Sequence, residues 1–436
     1  MAKYIINGES ADFATLSGSE IQRTLGKHHE DKTKKSTIHC GCRPAEKLVL
    51  HTFNRNGKFY LRKTSGTGET HKIGCRHRSL NAETAAFFGY SLEAIRTDDN
   101  DNLVISLSVP LKRSQTAPSL TQTSHTFKSN DGKCTTARKI SNRVTELGAL
   151  RLLWARANLT SHEPTILNKE PWSAIRGAAK FLKLNHGLEL SKMLLLPHFS
   201  DDDKQGGRNW YALKNAINKH YVIYIDIIDG DEYKSMLVTL AAKQPYVFSH
   251  STKIGGTTNR FKVKVGVYKE EAMDIYNNLT HQFPNFSSQV KDNAKVVVFG
   301  RAEVCVMKAD SKEQSDTYYS KVRSMVAMPV TSQLIPFESS YEHQLANHLV
   351  NAGRHYEKPF SSEASIDDRL FPDFILQDCS PPVMIEVYGM NTEVYLARKK
   401  EKRAIYAAEY PGQYWEWHAD RETLQDALQR QQLPAP

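Results

Sequence analysis

The clearest hydrophobic pattern lies in the last hundred residues. In Phe337–Ala352, positions Tyr341, Leu345, His348, Leu349 and Ala352 recur at helical spacing, which predicts an amphipathic helix. Short apolar runs follow at His355–Phe360, Leu370–Leu376 and Val383–Val387, and each reads as a strand. Glu393–Ala408 returns to helical spacing, Gln413–His418 alternates as a fourth strand, and Arg421–Gln431 closes as a helix. The predicted order is helix, three strands, helix, strand, helix.

Upstream, residues 191–332 are expected to form a mixed α/β middle domain. Met193–Pro197, Tyr221–Ile228, Ser235–Leu240, Phe261–Val267, and Val296–Phe299 with Glu303–Met307 are β-type runs between polar turns. Glu270–Phe283 has helical character. Val144–Ala157 and Trp172–Lys183 also place apolar residues at helical spacing, making 136–190 a helical segment. Lys112–Lys133 is rich in Ser, Thr and Gln and marks a flexible linker over 111–135. Before it, Glu83–Tyr90 reads as a short helix and Leu103–Pro110 as a strand.

Residues 1–110 form a β-rich module in this reading. A strand-like Lys-Tyr-Ile-Ile leads into a polar loop, and Lys27–Lys35 reads as a solvated linker. Lys47–Phe53 and Lys58–Lys63 alternate and are joined by Asn54-Arg55-Asn56-Gly57, a hairpin signal because both central residues of such a turn need positive φ. Cys40-Gly41-Cys42 lies on one side of this hairpin, His71 and Cys75 on the other. Four such ligands suit tetrahedral Zn²⁺, which would substitute for the core that a small module lacks. A zinc-knuckle or ribbon-like module with Cys40, Cys42, His71 and Cys75 as ligands is therefore expected. Gly66 and Gly68 are turn residues, and Cys134, Cys305 and Cys379 are isolated.

Composition sets the class. The chain has 436 residues, 40% apolar and 24% charged, in keeping with two to four ordinary globular domains. It holds no apolar run of the roughly 18–20 residues that span a bilayer, and its first residues lack a signal-peptide core. A soluble cytoplasmic protein with no membrane partner is expected. Residues 1–80 carry 15 Lys and Arg against 7 Asp and Glu, a net of +8, whereas residues 337–436 carry 10 against 16, a net of −6. The basic end suits a polyanion, with nucleic acid and DNA first among them. Lys253, Arg260, Lys262 and Lys264 could add a phosphate-facing stripe, or simply a solvated sheet face.

The candidate chemistry sits in Pro372-Asp373-Phe374 and Ile385-Glu386-Val387-Tyr388-Gly389. Each acid lies inside an apolar run, and a carboxylate is costly to bury unless it is paired or binds a metal. The element order and these acids resemble the PD-(D/E)xK nuclease superfamily, with Glu342 on the first helix. The resemblance implies a restriction-endonuclease-like α-β-β-β-α-β core over 333–436, within a multidomain α/β (α+β) chain. It implies Asp373 and Glu386 as ligands of Mg²⁺ or Mn²⁺, Glu342 as a supporting carboxylate, and phosphodiester hydrolysis. The chain departs from the pattern at Tyr388, where the superfamily has lysine. Some branches supply that cation from the next helix, which here carries Tyr395, Arg398, Lys399 and Lys402 along one face. Lys399 and Lys402 are the candidate catalytic cations, Arg398 the phosphate clamp, and Tyr388 and Tyr395 the substrate-facing rings. A second resemblance spans the chain: the CxC…TGxxHxxxC head and PDF…IEVYG tail look like an uncharacterised bacterial family found near integrative and conjugative elements. It implies a mobile-DNA setting, and it leaves open a homodimer or mobile-element protein partners. Two readings stand at this point: a metal-dependent DNA endonuclease or nickase, and a nuclease-fold nucleic-acid-binding or assembly protein without catalysis.

Overall fold

The computed structural model describes residues 3–13, 15–31, 37–55, 57–64, 67, 70–71, 77, 94–97, 102–111, 143–164, 171–185, 187–197, 203–249, 263–282, 293–307, 317–359 and 372–436. The fold is mixed α/β, with several sheets. Two compact units share the chain. One comprises Met1–Phe88, Arg96–Asp101 and His355–Pro436, the other Gly89–Ile95 and Asn102–Arg354. No helix among the described residues is long and apolar enough to cross a membrane. The helix expected at Glu83–Tyr90, the turn residues Gly66 and Gly68, the linker Lys112–Lys133, Cys75, Cys134, Lys253, Arg260 and Lys262 lie outside the described residues.

The N-terminal stretch folds as a sheet of β1 (Lys3–Ile6), β2 (Glu9–Asp12), β3 (Ile38–Cys40), β4 (Val49–Arg55) and β5 (Lys58–Lys63), in the order β2-β1-β3-β4-β5. The Asn-Gly hairpin forms as expected: Arg55 pairs with Lys58, Gly57 sits at φ +77°, and its N–H donates to Asn54 Oδ1 at 3.1 Å. The expected polar loop and solvated linker are corrected in part, because Gly18–Glu30 is a helix, α1. Ser17 and Glu20 close a reciprocal capping box, which satisfies backbone donors that a helix start leaves orphaned. The helix buries Leu25 and Gly26, and a Cβ added at Gly26 would stand 3.0 Å from the Phe59 ring. Tyr4, Phe13, Leu25, Ile38, Leu48 and Leu50 pack together, so this stretch has a hydrophobic core of its own.

Strands β6 (Ile95–Thr97), β7 (Leu103–Ile105), β8 (Ser161–His162), β9 (Leu182–Leu184) and β10 (Leu188–Glu189) follow, with α2 (Glu146–Arg156) and α3 (Pro171–Ala179). The second expected helix ends early, and Leu182 and Leu184 instead pair in parallel with β7. In α2, Trp154 is fully buried and its indole N–H donates to Leu334 O at 3.0 Å. The main sheet of the central unit is built from β11 (Leu194–Leu195), β12 (Val222–Asp229), β13 (Tyr246–Val247), β14 (Val263–Val267), β15 (Lys295–Met307) and β16 (Thr317–Val330), in the order β11-β12-β15-β16-β14-β13. Its helices are α4 (Asp203–Ala216), α5 (Gly230–Ala241), α6 (Lys269–Gln282) and α7 (Ser340–Asn351). The two runs expected at Val296–Phe299 and Glu303–Met307 are one strand, irregular at Arg301/Ala302.

Ser235–Leu240 is corrected from strand to helix. Tyr233, Met236 and Leu240 fall at i, i+3 and i+7 and are buried in the core, whereas Val238 is 72% exposed. A short apolar run cannot by itself separate the two periods.

The chain returns to the first unit as β17 (Tyr356–Glu357), β18 (Phe374–Leu376), β19 (Val383–Tyr388), α8 (Glu393–Glu409), β20 (Tyr414–His418) and α9 (Leu424–Arg430). These strands lie in the order β20-β19-β18-β17, with β18 and β19 antiparallel and β19 and β20 parallel. A parallel neighbour needs a crossover, and α8 provides it. All six residues of β19 are buried.

The helical register of α5 makes a sharp prediction. Met236 and Val238 would share a face in a strand, but they point apart in the helix. Met236→Ala should cost about 2–5 kcal/mol and Val238→Lys less than about 0.5 kcal/mol in urea unfolding. Equal large losses would restore the strand.

Candidate functional site

Asp373 is fixed by the edge of β19. Its N–H donates to Ile385 O at 2.9 Å, and its Oδ2 accepts the Val387 N–H at 2.7 Å. Its other oxygen lies 3.8 Å from Nζ of buried Lys358, whose ammonium also stands over the Phe374 ring. Glu386 projects from the middle of β19 with 3% exposure. Burial, followed by the nearby negative charge of Asp373, pushes its pKa up to about 7. Lys402 of α8 answers this with hydrogen bonds to both Glu386 oxygens, at 2.8 and 2.9 Å. One turn on, the Tyr406 hydroxyl donates to Oε1 at 2.8 Å, and its ring stacks on Tyr414 with centroids 4.2 Å apart. Lys402 and Tyr406 are four apart and so lie on one helix face.

Two residues beyond Glu386, Tyr388 starts a polar chain. Its hydroxyl lies 3.0 Å from that of Tyr414, which donates to Glu416 Oε2 at 2.6 Å. Glu416 Oε1 lies 3.1 Å from both His418 Nε2 and Arg403. Burial opposes the charge on Glu416, but its hydrogen bonds from Tyr414 and His418 outweigh that and hold its pKa below the ordinary value. Lys399 Nζ approaches His418 Nδ1 at 2.6 Å and lies 4.3 Å over the Tyr388 ring. Burial lowers the Lys399 pKa.

The expected α8 face therefore divides. Lys402 meets Glu386, Lys399 meets Tyr388 and His418, and Tyr395 stands edge-to-face on Tyr388 with its phenol pushed up to about 12 by burial. Arg398 lies in the helix, with its side chain outside the described residues. Glu342 belongs to the central unit, at the start of α7, where its carboxylate accepts the Glu338 N–H at 3.0 Å. Sequence reasoning missed Lys358, Tyr406 and the Tyr414–Glu416–His418 chain. The i+4 spacing from Lys402 to Tyr406 and the alternation of Tyr414, Glu416 and His418 were the available signals.

A second group lies at the N-terminal sheet. Cys40 ends β3, where its N–H donates to Leu48 O at 2.8 Å, and Cys42 sits in the turn that follows. One ligand atom from each of Cys40, Cys42 and His71 lies within 4.8 Å of the others, and Cys42 Sγ is 3.5 Å from His71 Nδ1. Zn–S of about 2.3 Å and Zn–N of about 2.0 Å put tetrahedral ligands roughly 3.5–3.8 Å apart. This group could hold a metal ion. His77 is also buried beside it, its ring 5.8 Å from that of His71.

The chain matches no curated protein and no solved structure. The profile of the family described as protein of unknown function (DUF1173) matches residues 8–222 and 276–420, and the chain belongs to that family.

Proposed function

We propose that the chain is a metal-dependent endonuclease or nickase that hydrolyses phosphodiester bonds, acting on mobile-element or foreign DNA. The observation that carries this reading is Lys402 Nζ on both oxygens of Glu386, beside Asp373. Tyr388 leaves the motif without its lysine, and Lys402 supplies a cation from α8 at the carboxylate that needs one. Asp373 and Glu386 would hold Mg²⁺ or Mn²⁺. The two carboxylates are hard oxygen donors of the kind Mg²⁺ takes, and the charge of Asp373 is felt at Glu386. When bound, the ion supplies an acidified water and neutralises charge on the phosphate.

The protein's own groups do the rest. The Val387 N–H orients Asp373, Tyr406 and Lys402 fix the rotamer of Glu386, and Lys358 balances charge at Asp373. Zn²⁺ at Cys40, Cys42 and His71, with Cys75, would hold the N-terminal sheet as a nucleic-acid-binding module. One observation favours the binding-only reading: Tyr388 occupies the lysine position, and burial drives its phenol far above the ordinary range, so it stays neutral.

A plasmid-relaxation assay separates the two. Nicking with Mg²⁺ or Mn²⁺ should fall roughly 10²–10³-fold in Asp373→Ala and in Lys402→Gln, and Lys402→Gln should also melt lower because Glu386 loses its buried cation. Nicking that persists in both variants and in EDTA overturns this metal site, whereas no nicking by wild type with either metal points to binding alone.

The raised Glu386 pKa has a signed consequence. The folded chain holds this proton more tightly than the unfolded one, whose value is near 4.5. Its contribution to stability is therefore fully present below about 4.5 and is lost as pH rises through about 7. Metal binds the ionised form, so added Mg²⁺ should raise the melting temperature at pH 8 and have little effect at pH 5.5. An equal shift at both pH values would remove Glu386 from the metal site.

The purified protein should carry one equivalent of zinc by elemental analysis. Cys42→Ala and His71→Ala should lose it and melt lower. Full zinc content in both variants would place the ion elsewhere.

A further inference from the structure

Between α8 and the end of β20 lies an open pocket of about 250 Å³, lined by Leu396, Lys399, Lys400, Arg403, His418 and Arg421. Five of its six lining residues are basic, although this part of the chain is acidic overall. Two carboxylates pair with them: Glu416 binds Arg403 and His418, and Asp420 binds Arg421 at 3.1 Å, while Glu422, which accepts the His418 N–H, is offset by Arg430 at 2.7 Å. Four lysines and arginines against two acids leave a positive surplus at the pocket wall.

The arrangement is more than a charged helix face. Lys399, only 8% exposed, is held from below by His418 and the Tyr388 ring, so its ammonium is positioned before any ligand arrives. Arg403 and Arg421 reach the pocket from two different elements with much of their side chains exposed, at 54% and 66%. Guanidinium groups of this kind pair with phosphate oxygens in a two-pronged geometry.

Register then relates the pocket to the carboxylates. On β19, Glu386 and Tyr388 are two residues apart on one face, about 6.5 Å. On α8, Lys402 and Lys399 are three residues apart, about 4.5 Å of rise. Lys402 covers Glu386 and Lys399 covers Tyr388, so the pocket is displaced from the carboxylate pair by about one or two nucleotides at roughly 3.4 Å of rise each.

We propose that this pocket seats a phosphate group of a nucleic acid strand, one or two nucleotides from the phosphate at Asp373 and Glu386. The position rests on the nuclease reading, but phosphate binding does not. The pocket fixes the register of the strand, with Lys399 as its preset floor and Arg403 and Arg421 as its clamps.

The test is binding without catalysis. Fluorescent DNA 12-mers with a 5′-phosphate, a 5′-hydroxyl or a 3′-phosphate are titrated without added Mg²⁺ or Mn²⁺, and without chelator, against full-length protein and the Lys400→Ala/Arg421→Ala double variant. The double variant should bind roughly tenfold more weakly, and its salt dependence should flatten by about one to two counterions. A loss equal for all three oligonucleotides assigns the pocket to an internal phosphodiester. A loss confined to one phosphorylated end assigns it to a terminal phosphate. Unchanged affinity and salt slope in the double variant, with circular dichroism matching wild type, overturns the proposal. Asp373→Ala serves as the control: if it binds DNA normally but abolishes nicking, the two sites are separate, and if wild type never nicks, the binding result still stands.

Discussion

A carboxylate removed from water governs the C-terminal part of this protein. Glu386 sits inside a strand with every residue buried, and burial disfavours its charge. The groups around it answer that cost. Lys402 and Tyr406 come from one helix face, Tyr414 braces Tyr406 from the neighbouring strand, and the crossover through α8 places that face over β19. Removing one member of such a set leaves a buried charge uncompensated, which costs more than the pair itself contributes.

Much of this was legible in the chain, for identifiable reasons. The three strands around the two acids are short apolar runs, and the i, i+3, i+4, i+7 spacing alone puts Lys402 on the helix face that meets Glu386. The Asn-Gly hairpin was legible because positive φ is a local demand. Lys358 was not, because its proximity to Asp373 depends on the register of β17 against β18, where Glu357 pairs with Ile375. The chain from Tyr388 to His418 likewise arises from parallel pairing across a helix crossover.

Elsewhere, helices hid in polar or ambiguous text. The α1 helix has only Ile21 and Leu25 to mark its face, and its capping box was the stronger clue. In α5 an apolar run fits both periods, and tertiary packing decides. Strand β16, which the sequence reading did not assign, carries Ser320, Arg323 and Ser324 among its apolar residues. Two of these polar side chains find partners: Arg323 bonds Glu303 and Glu271, and Ser324 donates to Glu146. Alternation fails as a signal where the second face of a sheet is satisfied by ion pairs instead of water.

The cation at Glu386 comes from α8, whereas the two acids come from β19 and its flank. A lysine on β19 itself, two residues from Glu386, could not leave without the strand. Lys402 can, because a surface helix opens more readily than a buried central strand. Thr392 at the head of α8 makes no side-chain capping bond, so this end is free to fray. Sub-global opening of that one element would withdraw the ammonium and the phenol together while the sheet stays folded, leaving two acids to repel each other. Charge compensation at Glu386 thus rests on how a helix docks, and not on the sheet alone.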